Sequence, residues 1–243
     1  MSIRQDIQPD PSVEDRSLAA RNFGAWRMGF GRLDGEELLA AMVQRAFPGQ
    51  IALVSSFGAE AALLLAMLAD IDRQVPIIFL DTGKHFPETL TYRDILIRRF
   101  GFTDVRSIRP NNATLSQSDP AGDLWRSDPD HCCHLRKVLP LTRALTPFQA
   151  WITGRKRFHG GGRTALPAVE YVADKVKVNP LANWTPDQVN TAFRERGLPG
   201  HPLVGQGYPS IGCATCTRAS AGGIGSREGR WAEQDKTECG IHI

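Results

Sequence analysis

No stretch of this 243-residue chain approaches the roughly 20 consecutive apolar residues needed to cross a bilayer. The longest apolar run, residues 61–69, is closed off by Glu60 and Asp70 and reads as a buried helix. The chain begins polar and mixed in charge, with Arg4, Asp6, Asp10, Glu14 and Asp15, and lacks the apolar core of a secretory leader. No membrane association and a cytoplasmic location are therefore expected. Charge of one sign is missing too. The 29 Lys and Arg against 26 Asp and Glu leave a net +3, too small for bulk nucleic-acid binding. There is no internal repeat, no low-complexity segment and no Gly-Lys-Ser/Thr phosphate loop. Cysteine is scarce, at five. In a reducing compartment, so few cysteines serve more often as ligands or nucleophiles than as disulfides.

What is present is alternation. Short segments at 51–54, 75–80, 105–108 and 149–153 read as strands, the first two of them buried. Helical patterns lie at 38–46, 59–69, 88–100 and 131–145. Strands and helices that alternate at this length predict an α/β fold, a parallel twisted sheet with helices on both faces. Three parts are expected: a polar leader over 1–32, a nucleotide-binding domain over 33–197, and an irregular segment over 198–243 ending in a mobile tail. Ligands in such folds bind beyond the carboxyl ends of the strands. Three loops there are chemically loaded. Ser55-Ser56-Phe57-Gly58-Ala59-Glu60 can bring backbone N–H groups and a helix N-terminus to an oxyanion. Leu80-Asp81-Thr82-Gly83 exposes backbone groups suited to an adenine or ribose edge. Gly154 opens a basic loop, Arg155-Lys156-Arg157, that ends at Arg163 and suits a sulfate or phosphate.

The cysteines divide four plus one. Cys132-Cys133 is a tandem pair, Cys213 and Cys216 form a Cys-x-x-Cys, and Cys239 stands alone near the end. Four thiolates can hold a [4Fe–4S] cluster or a structural zinc ion, and a Cys213–Cys216 disulfide is a further alternative. The fifth is free to act as a nucleophile, and Arg227 and Arg230 lie close to it in sequence. Cations would favour its thiolate and offset repulsion from an anionic substrate.

These residues together resemble the assimilatory adenylyl-sulfate (APS) reductases of the APS/PAPS reductase family, from about residue 35 onward. The resemblance rests on 55–60, on Leu80-Asp81-Thr82-Gly83 with His85, and on Cys132-Cys133 followed by Arg136-Lys137. It extends to Thr153-Gly154-Arg155, Asn179-Pro180-Leu181, 207–213, Arg227 to Trp231, and Glu238-Cys239-Gly240-Ile241-His242. Phe57 stands where the family commonly has serine, and Ala61 where it has aspartate. The resemblance implies an adenine nucleotide α-hydrolase-like fold. It also implies thioredoxin-dependent reduction of APS to sulfite and AMP, in sulfate assimilation, through an S-sulfo intermediate on Cys239. PAPS, or both nucleotides, is the alternative substrate. It implies a [4Fe–4S] cluster on Cys132, Cys133, Cys213 and Cys216. Substrate contacts are expected from Ser55, Leu80, Thr82, Lys137, Gly154, Arg163, Arg227 and Arg230. A homo-oligomer is compatible with all of this.

Overall fold

The computed structural model describes residues 23–223, 226–234 and 236–242. The part of the expected leader over 1–22 lies outside the described residues. Residues 23–30 are helical (α1), which departs from the irregular polar leader expected there. Phe23, Trp26 and Phe30 recur at i, i+3 and i+7 and pack on the core. Trp26 meets Phe47 edge-on, with ring centroids 4.5 Å apart.

Six strands form one sheet in the order β3-β2-β1-β4-β6-β5. They are β1 (Ile51–Val54), β2 (Ile77–Leu80), β3 (Val105–Ile108), β4 (Ala150–Ile152), β5 (Val169–Val172) and β6 (Lys175–Val178). All neighbours are parallel except β5 and β6. That hairpin was absent from the expected elements. Its two-residue turn places Ala173 and Asp174 at φ 49° and 62°, a geometry usually signalled by Asn-Gly or Asp-Gly. No helix among the described residues is long and apolar enough to cross a membrane.

Strand side chains alternate between two cores, as the period of two requires. Leu53, Phe79 and Ile152 face one core, with Leu38 and Leu39 of α2 (Gly35–Ala41) and Leu63 and Leu65 of α3 (Ala61–Ile71). Leu96 of α4 (Pro87–Phe100) and Val189 of α9 (Pro186–Glu195) join it. Ala52, Ile78 and Trp151 face a smaller core closed by Leu141 and Leu145 of α8 (Leu139–Leu145). Three short helices intervene: α5 (Asn112–Ser118), α6 (Leu124–Ser127) and α7 (Pro129–Cys133). A π-helical turn over His134–Val138 joins α7 to α8, so the helix expected over 131–145 is continuous but locally underwound.

The chain moves outward from β1 to β2 and β3, then returns to β4 on the other side of β1. The crevice between the carboxyl ends of β1 and β4 is thus the topological switch point. After α9 regular structure thins to 3₁₀ turns, as the loss of periodicity foretold. This part is nevertheless pinned to the domain. Tyr92 donates to the Pro199 carbonyl at 2.7 Å, and His85 bridges Cys213 in antiparallel fashion. His201 is buried between α4 and this segment, 3.0 Å from Thr89 Oγ1, and its Nδ1 accepts from the Leu203 N–H at 3.2 Å.

Burial holds His201 well below the usual imidazole range, at about 4. The unfolded chain therefore binds the extra proton first. Stability should be level above pH 6.5 and fall as pH drops from there toward 4. Denaturant midpoints measured from pH 8 to pH 5 check this. His201→Gln, less stable at neutral pH, should show a shallower decline; an equal slope in both proteins would contradict the assignment.

Candidate active site

A cavity of about 210 Å³ opens at the switch point. Its floor is the end of β1 and the following loop. Ser55 is buried, and its Oγ accepts from the Phe57 N–H at 3.2 Å. Phe57 occupies the left-handed region (φ 49°) and buries its ring edge-on against Phe79. The position where the resemblance led us to expect serine is thus used here as core. Gly58 lies under the carbonyl of Ile211, which a Cβ would approach to 3.1 Å. Leu80 and Thr82 at the end of β2, and Gly154 after β4, complete the inner wall. Thr82 is fully engaged inside the protein. Its hydroxyl lies 3.4 Å from Cys213 Sγ, and its carbonyl accepts from Arg136 at 2.9 Å.

The basic loop behaves differently from the expected cluster of open cations. Arg155 pairs with Glu170, and Arg157 Nε donates to the Leu166 carbonyl at 2.8 Å. Lys156 is buried and donates to Glu60 Oε2 at 2.8 Å and to the Gly154 carbonyl at 2.9 Å. Burial alone would raise the Glu60 carboxyl, but Lys156 and His159 outweigh it and hold it at about 2. His159 passes the network on, lying 3.0 Å from Glu60 Oε2 and 3.0 Å from Arg163. Arg163 alone of this loop's arginines reaches the C-terminal segment. The signal for Glu60, an acid closing the loop just before α3, was visible in the sequence. Glu238 stood in the motif around Cys239, but its pairing with Arg163 was not visible there, and His159 gave no signal.

The outer wall is the C-terminal segment. Arg227, Arg230, Trp231, Cys239 and His242 line the cavity opposite the β1 loop. Trp231 is buried in the left-handed region (φ 52°), where strain is tolerated only if surroundings fix it. Arg230 and Arg227 lie over its ring at 4.4 and 5.6 Å. A Cβ on Gly212 would overlap the Arg230 guanidinium, so this glycine makes room for it. Removal from water, reinforced by Arg155, Lys177, Arg163 and Arg227, holds His242 well below the imidazole range. Its ring is neutral and stacks on Trp151 at 6.3 Å.

Lys137 and the thiols meet at the cavity's far end. Burial works against the Lys137 charge, but Cys213, Cys239 and Cys133 outweigh it and raise its pKa. Lys137 in turn, with Thr82 and Arg230, pulls the Cys213 thiol below its usual value against the effect of burial. Cys132 is pushed up to about 11 by burial and by Cys133, with Cys213 and Cys216 also acting on it. The two cysteine pairs, some 80 residues apart in sequence, are therefore electrostatic neighbours. All five cysteines are free thiols. Among the described residues, no three His, Cys, Asp or Glu side chains are gathered tightly enough to hold a single metal ion. Arg136 ties the turn behind the tandem pair to the β2 loop and pairs with Asp119 at 2.5 Å, both side chains nearly inaccessible to water. Asp119→Ala strands a buried guanidinium, so it should destabilise the fold by about 3–5 kcal/mol, measurable by urea denaturation.

Residues 50–219 match the family model for the phosphoadenosine phosphosulfate reductase domain. A relative from Mesorhizobium japonicum, adenosine 5′-phosphosulfate reductase, is 48% identical over 94% of this chain and 90% of its own length. Phosphoadenosine 5′-phosphosulfate reductase from Gloeobacter violaceus is 41% identical over 85% of this chain and 88% of its own. Among solved structures, phosphoadenylyl-sulfate (PAPS) reductase from Candida auris, a phosphate complex, superposes with a TM-score of 0.66 at 26% identity. It covers 88% of this chain and 97% of that one.

Proposed function

The chain belongs to the phosphoadenosine phosphosulfate reductase family, and from that premise we propose that it reduces APS to sulfite and AMP with thioredoxin as electron donor. The observation that carries this reading is one cavity that presents Cys239 beside Lys137, Arg163, Arg227 and Arg230. A thiolate attacking a sulfo group already bearing negative charge needs such cations twice, to favour the thiolate and to offset repulsion. With His242 held neutral, that charge comes from Lys137 and the arginines. The relative at 41% identity, named for PAPS, supports the second reading, use of PAPS or of both nucleotides. The two substrates differ by one phosphate ester.

In the proposed reaction the adenosine lies along Leu80 and Gly154. The α-phosphate meets the backbone N–H groups of the Ser55 loop, at the N-terminus of α3. Cys239 thiolate attacks the sulfur. An S–S bond forms, the S–O bond breaks, and its electron pair leaves on AMP. A thioredoxin thiolate then attacks Cys239 Sγ. Sulfite departs with the S–S electron pair, and a mixed disulfide remains. Thioredoxin's second thiol displaces Cys239, which regains its thiol as thioredoxin becomes oxidised. Two electrons thus pass from two thiols to sulfur.

Cys132, Cys133, Cys213 and Cys216 would hold a [4Fe–4S] cluster. Support comes from the burial of Cys132, Cys133 and Cys213, and from the mutual influence of the four thiols. When bound, the cluster supplies negative charge facing Lys137 and a fixed anchor for the turn bearing Arg136 and Lys137.

Mass spectrometry after a single turnover with APS and no thioredoxin should find a sulfo adduct on Cys239, discharged by reduced thioredoxin. An adduct from PAPS alone would overturn the choice of nucleotide. Cys239→Ser should abolish sulfite formation yet keep visible cluster absorption, and Cys132→Ser should remove that absorption. The reverse pattern would contradict the four-plus-one division.

A further inference from the structure

Glu238 brings an anion of the protein's own into the cavity. Its carboxylate takes two bonds from Arg163: Nε donates to Oε1, and the terminal nitrogen donates to Oε2 at 2.9 Å. Arg227 approaches Oε2 at 3.4 Å and donates to the neighbouring Thr237 carbonyl at 2.9 Å. Arg163 and Glu238 are 8% and 18% exposed at the side chain, so the pair is shielded from the screening that makes surface pairs weak. Arg163 is itself held from behind. His159 lies 3.0 Å from it and links it to Glu60 at the start of α3. A rigid chain of polar contacts thus runs from the β1 loop to the residue just before Cys239.

Beyond Glu238 the chain has further seats. Gly240 lies against Val138, where a Cβ would come within 3.1 Å, and His242 stacks on Trp151. Glu238 is the ionic contact adjoining the thiol. It also divides the cations. Arg163 and part of Arg227 are taken, whereas Arg230 Nε is buried without a partner and Lys137 faces thiols.

We propose that Glu238 is a positioning residue. By standing on Arg163 and Arg227 it sets the place and angle of Cys239 over the cavity, and it leaves Arg230 and Lys137 to the sulfo group. This rests on the reading of the cavity as an APS site. Arg227 is shared between Glu238 and the nucleotide, so removing the carboxylate frees a cation for substrate while loosening the nucleophile. Binding and attack therefore respond in opposite directions to one substitution, which a purely structural contact would not produce.

The test separates the half-reactions in the protein loaded with its cluster. Glu238→Gln should form the Cys239 sulfo adduct from APS roughly 100-fold more slowly, the scale expected for a misplaced nucleophile. It should bind AMP at least as tightly as the parent chain, and its adduct should be discharged by reduced thioredoxin at the parent rate. Glu238→Asp, which keeps the charge on a shorter stem, should lie between the two. Sulfonation of Glu238→Gln at the parent rate would overturn the proposal. Joint loss of AMP binding and adduct would also overturn it, by showing a structural role. If Glu238→Gln does not fold, Glu238→Asp decides alone: slowed sulfonation with AMP affinity intact supports the proposal, and an unchanged rate overturns it. Failure of the parent chain to form any adduct would remove the reductase reading itself, and this proposal with it.

Discussion

Lys137, Arg163, Arg227 and Arg230 crowd one cavity, and their mutual repulsion must be offset before the fold can close over it. The Glu238 carboxylate does part of this by bridging Arg163 and Arg227, and Lys137 sits among Cys213, Cys239 and Cys133, whose influence raises its pKa. The indole of Trp231 adds its face to Arg227 and Arg230. Such compensation is local and partial, since Arg230 Nε has no partner. A site held together this way is stable when empty and still attractive to an anion.

The sheet explains why these groups can meet. The reversal between β1 and β4 opens a crevice, and the two loops flanking it come from strands about 100 residues apart. The C-terminal segment then lies across the opening, fastened by the His85–Cys213 bridge and by Ala214 N–H donating to the Lys84 carbonyl at 2.7 Å. One pairing therefore seats the Cys-x-x-Cys beside the β2 loop, while Arg136 fastens the tandem pair to the same loop through Thr82. Thr82 is the hinge pin of both attachments, which accounts for its burial and for the engagement of its polar atoms within the protein.

Much of this was legible beforehand. Apolar runs marked β1, β2 and β4, because parallel strands covered on both faces need no polar alternation; β3 is an edge strand whose Arg106 and Ser107 are exposed. The hairpin of β5 and β6 escaped although Lys175-Val176-Lys177-Val178 alternates as a half-buried strand does, because its runs are only four residues long and its turn lacks glycine. Burial of Lys177 is sustained by Glu170 at 3.6 Å and by the Trp151 ring at 4.8 Å, neither visible from a local window. Helix α1 was hidden by the poor helix formers Gly24 and Gly29, and Phe23 and Trp26 become meaningful only against Tyr171 and Phe47. The basic loop misled for a related reason. A run of charges looks uniformly available in sequence, but Arg155 and Lys156 find carboxylates in the fold and only Arg163 extends to the C-terminal segment.

Sequence alone determined the alternation of strands and helices, the division of the cysteines, and the set of cations and small-residue loops that an anionic nucleotide would require. These depend on residue type and short spacing, which act through local backbone geometry and intrinsic chemistry. Tertiary structure decided which cations are engaged, that His242 is neutral, and that Glu238 stands on the arginines beside the nucleophile. Those outcomes depend on burial and on partners 75 to 100 residues away in the chain, as with Arg163 and Glu238 or Glu60 and His159. Electrostatic energies at such contacts are set by distance and shielding from water, quantities that exist only once the chain has closed on itself.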